Sequence, residues 1–325
     1  MKLLPGCLAW ALLLGSLPVN AGELVIAGYN IENLFDTKDD PAKEDFLPAD
    51  WTEEMLSAKL KNLATVIRGM KGGQGPDVLG VCEVENREML DALVAAIGLP
   101  EREYKIVHQD SPDERGIDCA IIYDAKVFQL AGHKFLPVTV QATRDIVEAQ
   151  LKTGNEVLYV FMNHWPSKNN PEADRVAAAE VLRKRIDEIQ AQSPLADIIC
   201  VGDFNDFVDE PALHDTLRTT GTKSQATGGA LYNSAFAISQ PPTRGSYVFR
   251  NAWELIDHIV VSQGLLSGSG LKWKDGSTTE LKDAFLLFDP PGDAIPKPHA
   301  TRSGPQFHAD GVSDHLPLVT VLTSP

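Results

Sequence analysis

The chain has 325 residues, 43% hydrophobic and 23% charged, a globular composition that argues against a disordered or fibrous protein. Its formal net charge of −16 argues against nucleic-acid binding through a broad basic surface, though not against a nuclease whose bound cations offset local acidity. The length permits two domains or one large sandwich.

In chain order, "MKLLPGCLAWALLLGSLPVNA" (1–21) reads as a secretory signal peptide. Lys2 is its charged end, Leu8 to Leu17 its apolar core and Val19-Asn20-Ala21 its small-residue cleavage site. The core falls well short of the ~20 residues a membrane-spanning helix needs. Cys7 comes too early to be a lipoprotein cysteine. No later run is long and apolar enough to span a bilayer. The expectation is a soluble periplasmic or secreted protein with no obligate protein partner, residues 22–325 forming one domain.

After the leader, short apolar runs rich in β-branched residues predict strands at "LVIAGYN", "DVLGVCEV", "CAIIYD", "EVLYVFMNH", "DIICVGDF", "ELIDHIVVS" and "PLVTVL". Helices are predicted over "TEEMLSAKLKNLATVIRGM", capped by Thr52, and "NREMLDALVAAIG", with an Asn86 cap and terminal Gly98. A third is predicted over "NPEADRVAAAEVLRKRIDEIQAQ", with Asn170 as cap and Pro171 in the first turn. Strands and helices alternate irregularly, which predicts a mixed-sheet α/β fold rather than a Rossmann series. The stretch 262–313 is rich in Gly, Pro and Ser and reads as a long loop. Past the leader, Cys82, Cys119 and Cys200 are odd in number and widely spaced, which predicts buried thiols rather than a disulfide framework or a zinc site.

No G-x-S-x-G, H-E-x-x-H or C-x-x-C motif is present, and "KGGQGPD" lies between a helix and a strand, the reverse of a phosphate-binding loop. What remains is a set of polar residues at strand ends: Asn30, Glu32, Glu83, His164, Asp203, Asn205, Asp257, Asp314 and His315. Five carboxylates in this set cannot crowd together ionised without a cation. Hard oxygen donors without a thiolate cluster point to Mg²⁺, Mn²⁺ or Ca²⁺. Such a site suits phosphate-ester hydrolysis.

"YNIEN", "GVCEVEN", "NHWPSK", "GDFND", "LIDHIVVS" and "SDHLP", in that order from 29 to 317, resemble the DNase I-like endonuclease/exonuclease/phosphatase superfamily, with secreted bacterial members the nearest in appearance. The resemblance implies a four-layer α/β fold, two mixed sheets packed as a sandwich and flanked by helices, with the site at one end. It implies Glu83 as principal metal ligand, assisted by Glu32, Asn30 and Asp314. Asp203 would align or activate water, and Asn205 would bind phosphate oxygens. His315, held by Asp257 or Asp314, would act on the phosphoryl group. His164 would contact it as a protonated donor or a general acid. Arg115 would approach the substrate. His258 is expected to be structural, Asp206 a turn residue, and Lys297, His299 and Arg302 a mobile loop or a basic rim. The implied substrate is a phosphate ester, DNA or RNA among the options, with a phospholipid or sugar phosphate as the alternative and a noncatalytic binding role as a third. Membrane docking through an exposed "FLLF" at 285–288 would favour the lipid; a buried strand would not.

Overall fold

The computed structural model describes residues 22–43, 50–140, 143–240, 244–292 and 294–324; the leader at 1–21 lies outside the described residues. Strand β1, Glu23–Leu34, is buried along nearly its whole length. It pairs in parallel with β2, Val78–Val84, because helix α1, Glu53–Gly73, carries the chain back across the sheet. Thr52 caps α1 by accepting the Met55 amide at 3.4 Å. Helix α2, Arg87–Ile97, starts on the Asn86 side chain and ends on Gly98 in the left-handed conformation that glycine adopts without penalty. Strands β3, Tyr104–His108, and β4, Asp118–Asp124, extend this sheet antiparallel on the far side of β2.

The second sheet begins with β5, Gln129–Leu136, β6, Ile146–Thr153, and β7, Glu156–His164, an antiparallel meander. Helix α3, Glu172–Gln192, then makes the crossover to β8, Asp197–Asp203, parallel to β7. Its N-cap is Pro171, not the expected Asn170, and no side chain caps it. Strand β9, Asp257–Val261, lies antiparallel to β8, and β10, Leu318–Thr323, returns to the first sheet beside β1. Each sheet has seven strands among the described residues, short edge strands included.

Strand alternation sorts the apolar side chains into three clusters. Ile26, Val78 and Ile121 face Val160, Val201 and Ile259 between the sheets. Tyr29, Val81 and Ile122 turn outward under α1 and α2. Phe161, Ile198 and Cys200 turn outward under α3, against Leu182 and Ile186. The order helix, sheet, sheet, helix is the expected four-layer arrangement. The long segment 262–313 is also packed: Leu286 and Val312 join the core under α1, with Phe285 and Leu287 against it, so "FLLF" exposes only Phe288.

Backbones approach closely near the strand ends that carry the polar residues, between the sheets at Gly28 and between neighbouring β7 and β8 at Gly202. A Cβ on Gly28 would lie 3.0 Å from Val201 Cβ, and one on Gly202, at φ +126°, only 2.1 Å from the Asn163 carbonyl oxygen. Gly202 is therefore required by both contact and backbone conformation. Gly202→Ala should destabilise the fold by roughly 3 kcal/mol or more. Denaturant unfolding checks this, with a lowered midpoint expected at unchanged slope.

Candidate active site

The register brings the polar strand ends together. His164 ends β7 opposite Asp203, which ends β8, and Asp203 in turn lies opposite Asp257, the first residue of β9. Directly opposed residues project from the same sheet face, so three neighbouring strands offer His164, Asp203 and Asp257 side by side. On the first sheet Asn30 lies opposite Cys82 in the parallel β1–β2 pair, with Glu83 following. In β2, Cys82 pairs with Cys119 and Val84 with Asp118, leaving Glu83 as the extra residue of a bulge, at φ +63°. Bulges re-aim side chains, and this one turns Glu83 toward the second sheet.

Asn30 joins the two halves, its amide donating to Asp203 Oδ2 at 3.1 Å and Glu83 Oε1 at 3.3 Å. His164 Nε2 stands 3.8 Å from Glu83 Oε1 and 3.7 Å from Asp203 Oδ2. His315 Nε2 stands 3.8 Å from that same Asp203 oxygen, and its Nδ1 hydrogen-bonds Asp257 Oδ2 at 2.7 Å. Of the two carboxylates expected to hold His315, Asp257 therefore makes the contact. Asp314 precedes it and, half-buried, lines the same cavity. Asn205, at φ +49°, donates its backbone N–H to Asp203 Oδ1 at 2.8 Å and its side-chain amide to the Trp165 carbonyl at 3.0 Å.

Glu83, His164, Asp203, Asn205, Asp314 and His315 line a cavity of about 500 Å³ whose rim includes Lys168, Phe249 and Arg250. Arg115 also lines it and bonds to the Asn33 side chain, with Glu83 Oε2 3.5 Å away. Arg144 and Tyr247 are among the lining residues that the sequence did not single out. Arg144, buried just before β6, donates to Asp113 Oδ2 at 3.1 Å and to the Trp165 carbonyl at 2.8 Å. Tyr247 lies with its ring centroid 4.8 Å from that of His315. Neither sits at the end of an apolar strand run, where the sequence signal for the site lies.

Glu32 is placed apart. Its carboxylate accepts the Thr301 amide at 2.6 Å and the Arg302 amide at 3.2 Å, with the buried Lys59 ammonium 3.8 Å away. It lines a separate cavity of about 220 Å³ beside Trp51. The cause is local: Glu32 and Asn33 have φ of 50° and 47°, so β1 no longer alternates past Asn30. Expected as a metal ligand, Glu32 here braces the 301–302 segment. Lys297, His299 and Arg302 are likewise absent from the catalytic cavity; His299 packs against Phe288 and His308, and Arg302 donates to the Asp50 carbonyl. His258 is a core residue, bonded to Asn233 and the Asp206 carbonyl, with burial pushing it down to about 4. Asp206 is more than a turn residue: it is fully buried, with Arg175 Nε at 3.4 Å and Lys168 Nζ at 3.7 Å.

Burial and neighbouring charges separate the two imidazoles. Burial lowers the pKa of His164, and the positive charges of Arg144, Arg115 and His315 lower it further, leaving it neutral. The neutral form of His164 is thus favoured, whereas both expected roles, protonated donor and general acid, need the imidazolium. Burial acts the same way on His315, but the charges of Asp257 and Asp203 outweigh it and hold the imidazolium well above the ordinary range. Asp203 is pushed up to about 7 by burial and then by Asp257, and Asp314 to about 7 by burial together with Glu32 and Glu83. Glu83 stays below the ordinary carboxylate range, because Arg115, His315 and Asn30 outweigh its burial.

This donor set fits a hard divalent cation. Glu83, Asp203 and Asp314 are gathered with two of them pushed toward neutrality, the mark of carboxylates short of positive charge. The nearest thiol, Cys82, faces the core. Asp203, Asp257 and His315 also bring ligand atoms within 4.8 Å of one another. There, however, Asp257 Oδ2 and His315 Nδ1 are committed to each other; Glu83 and Asp314, which line the same cavity, and Asn30, bonded to Glu83, are the other groups that could hold an ion.

Fold and site together define a phosphoesterase of the DNase I-like sandwich class. The sequence matches the Endonuclease/Exonuclease/phosphatase family over residues 25–324, and the chain belongs to that family, whose members are metal-dependent phosphoesterases. No curated protein matches it significantly. Among solved structures it is similar to a mannosyl-6-phosphatase of Bacteroides thetaiotaomicron, at 18% identity and TM-score 0.60, covering 92% of this chain and 99% of that one. It is also similar to TDP2 of Caenorhabditis elegans, at 16% identity, TM-score 0.59 and 93% and 74% coverage. The human Nocturnin catalytic domain aligns at 15% identity, TM-score 0.55 and 94% and 95% coverage. At these identities the likeness is one of fold.

Asp257→Asn should lower the His315 pKa, read by NMR titration of the imidazole. The raised folded value means that the ion pair contributes stability fully below about 6.5, the unfolded value, and loses it as pH rises through the folded value. The stability gap between wild type and variant should therefore narrow toward alkaline pH.

Proposed function

We propose that this chain is an exported, divalent-metal-dependent phosphodiesterase of nuclease type, with Mg²⁺ as the first candidate ion. The observation that carries this reading is Asp203 Oδ2 flanked by two imidazoles, His164 at 3.7 Å and His315 at 3.8 Å, beside a carboxylate cradle. Export is supported by the pattern of residues 1–21, and no helix among the described residues is long and apolar enough to cross a membrane.

With its pKa near 7, Asp203 is a competent general base for a water molecule at neutral pH. Attack of that water on phosphorus breaks the bond to the leaving oxygen. His315, kept charged by Asp257, donates through Nε2 to the negative charge that grows on the phosphoryl oxygens. His164, kept neutral, orients the same group through Nε2. The hydrogen bond that the Asn205 side-chain amide donates to the Trp165 carbonyl holds that side chain at the cavity wall. A divalent ion held by Glu83 with Asp314 and Asn30 would neutralise a nonbridging oxygen. The open rim, with Lys168, Arg250 and Phe249 (46% exposed), leaves room for a substrate that continues beyond the reacting phosphate, as a diester does. The lipid reading loses its support, since three of the four "FLLF" residues pack against the core.

The purified chain should hydrolyse bis-p-nitrophenyl phosphate with added Mg²⁺ and lose that activity in excess EDTA. Glu83→Gln should lower kcat/KM roughly 10²-fold or more while remaining folded. Plasmid DNA should be cleaved in preference to sphingomyelin or sugar monophosphates; cleavage of the monophosphates alone would overturn the diester assignment. Thermal stability supplies an independent check. Carboxylates with raised folded pKa values bind more protons when folded, so without metal they cost stability as pH rises from about 4 to about 7. Added Mg²⁺ should raise Tm more at pH 8 than at pH 5.

A further inference from the structure

Cys82 and Cys119 lie 37 positions apart in sequence, but the β2–β4 ladder sets them directly opposite each other. Opposed residues of antiparallel strands have Cα atoms about 4.5–5.5 Å apart and side chains on one face, within the roughly 4.4–6.8 Å span of disulfides. Both side chains belong to the apolar cluster between the sheets, 0% and 2% exposed. Their thiols are free in the structure. Cys200 is placed otherwise, on the outer face of the second sheet under α3.

We infer that Cys82 and Cys119 form a cross-strand disulfide when the chain folds in an oxidising compartment. The pair sits at the bulge that aims Glu83: Cys82 is the last paired residue before it, and Cys119 follows Asp118, the partner of Val84 on its other side. The link ties β2 to β4 immediately before that bulge. The reaction is thiol–disulfide exchange with a protein or small-molecule disulfide. One cysteine thiolate attacks it, releasing one thiol and leaving a mixed disulfide. The second cysteine then attacks the mixed disulfide and releases the other thiol. The chain loses two protons and two electrons, and the incoming disulfide is reduced to two thiols. Both cysteines are sealed between the sheets once packed, so exchange precedes closure of the sandwich, and the finished bond is shielded from reductants. Its relevance in the cell rests on the export proposed above; its formation does not.

The full chain, denatured and then refolded in a buffer of reduced and oxidised glutathione, tests this. After alkylation without further reduction, peptide mapping should find the Cys82 and Cys119 peptides joined, lighter by two hydrogens, with Cys200 alkylated. Alkylated Cys82 and Cys119 in the refolded protein would overturn the inference. Cys200→Ala should keep the joined peptides; a Cys82–Cys200 or Cys119–Cys200 link in the wild type would equally count against it. The linked protein should melt roughly 4–10 °C above the Cys82→Ala/Cys119→Ala variant, and equal Tm values would deny the bond a stabilising role. Peptide mapping does not depend on turnover, so a linked but inactive protein would sink the phosphodiesterase reading alone.

Discussion

Carboxylate repulsion at one end of a sandwich is the constraint to which the rest of this structure answers. Register alone sets Asp203 beside Asp257, and the β2 bulge adds Glu83 from the opposite sheet. Ionised carboxylates at such spacing in a poorly solvated pocket are costly, and the surrounding residues can be read as replies to that cost. The Asn30 amide donates to two of the acids, Arg115 approaches Glu83, and His315 becomes a cation against Asp257. Asp203 and Asp314 remain near neutrality, so these internal replies leave a deficit of positive charge of the kind a divalent ion supplies.

Of the eight non-glycine residues at positive φ among the described residues, four lie in or beside the polar strand ends of the site. Glu32, Asn33, Glu83 and Asn205 all have positive φ, a conformation that disfavours side chains bearing a Cβ. Each is held by specific bonds: Asn33 N–H to Glu83, Asn205 N–H to Asp203, and Glu32 to the 301–302 amides. Strain of this kind persists where the surroundings over-determine it, and three apolar clusters on both faces of two sheets provide that stiffness. The close approach at Gly202 belongs to the same design, since it brings the β7 and β8 ends near enough for His164 and Asp203 to share a cavity.

Legibility in the sequence followed burial. Strands β1, β2, β4, β7, β8, β9 and β10 are continuous apolar runs and could be read directly. β3, β5 and β6 were not: β5 is half exposed at a sheet edge, and β6 carries Glu148 and Gln150 among its apolar residues. The strand-end rule found Asn30, Glu83, His164 and Asp203 because parallel pairing aligns C-terminal ends at one edge, while Asp257 reaches that edge as the first residue of antiparallel β9. It misplaced Glu32, where positive φ breaks the alternation that the rule assumes. It also could not see Arg144, whose place depends on a loop carbonyl and on Asp113, far away in sequence. The juxtaposition of Cys82 and Cys119 was hidden for the same reason, since spacing along the chain says nothing about register across it.

The two imidazoles show why residue type alone does not assign a catalytic role. His164 and His315 are both buried, and both approach the same oxygen of Asp203 at nearly the same distance. Yet one is neutral and the other charged. His315 Nδ1 is bonded to a carboxylate, so the proton there is stabilised; His164 Nδ1 is buried with no hydrogen-bond partner among the described residues, and the guanidinium of Arg144 adds to the penalty of burial. A site with two imidazolium ions would repel the cation it needs; one with two neutral rings would lack a charged donor for the growing phosphoryl charge. Splitting the pair reconciles both needs, and the split is made by Asp257 and Arg144, residues whose importance lies in what they do to their neighbours.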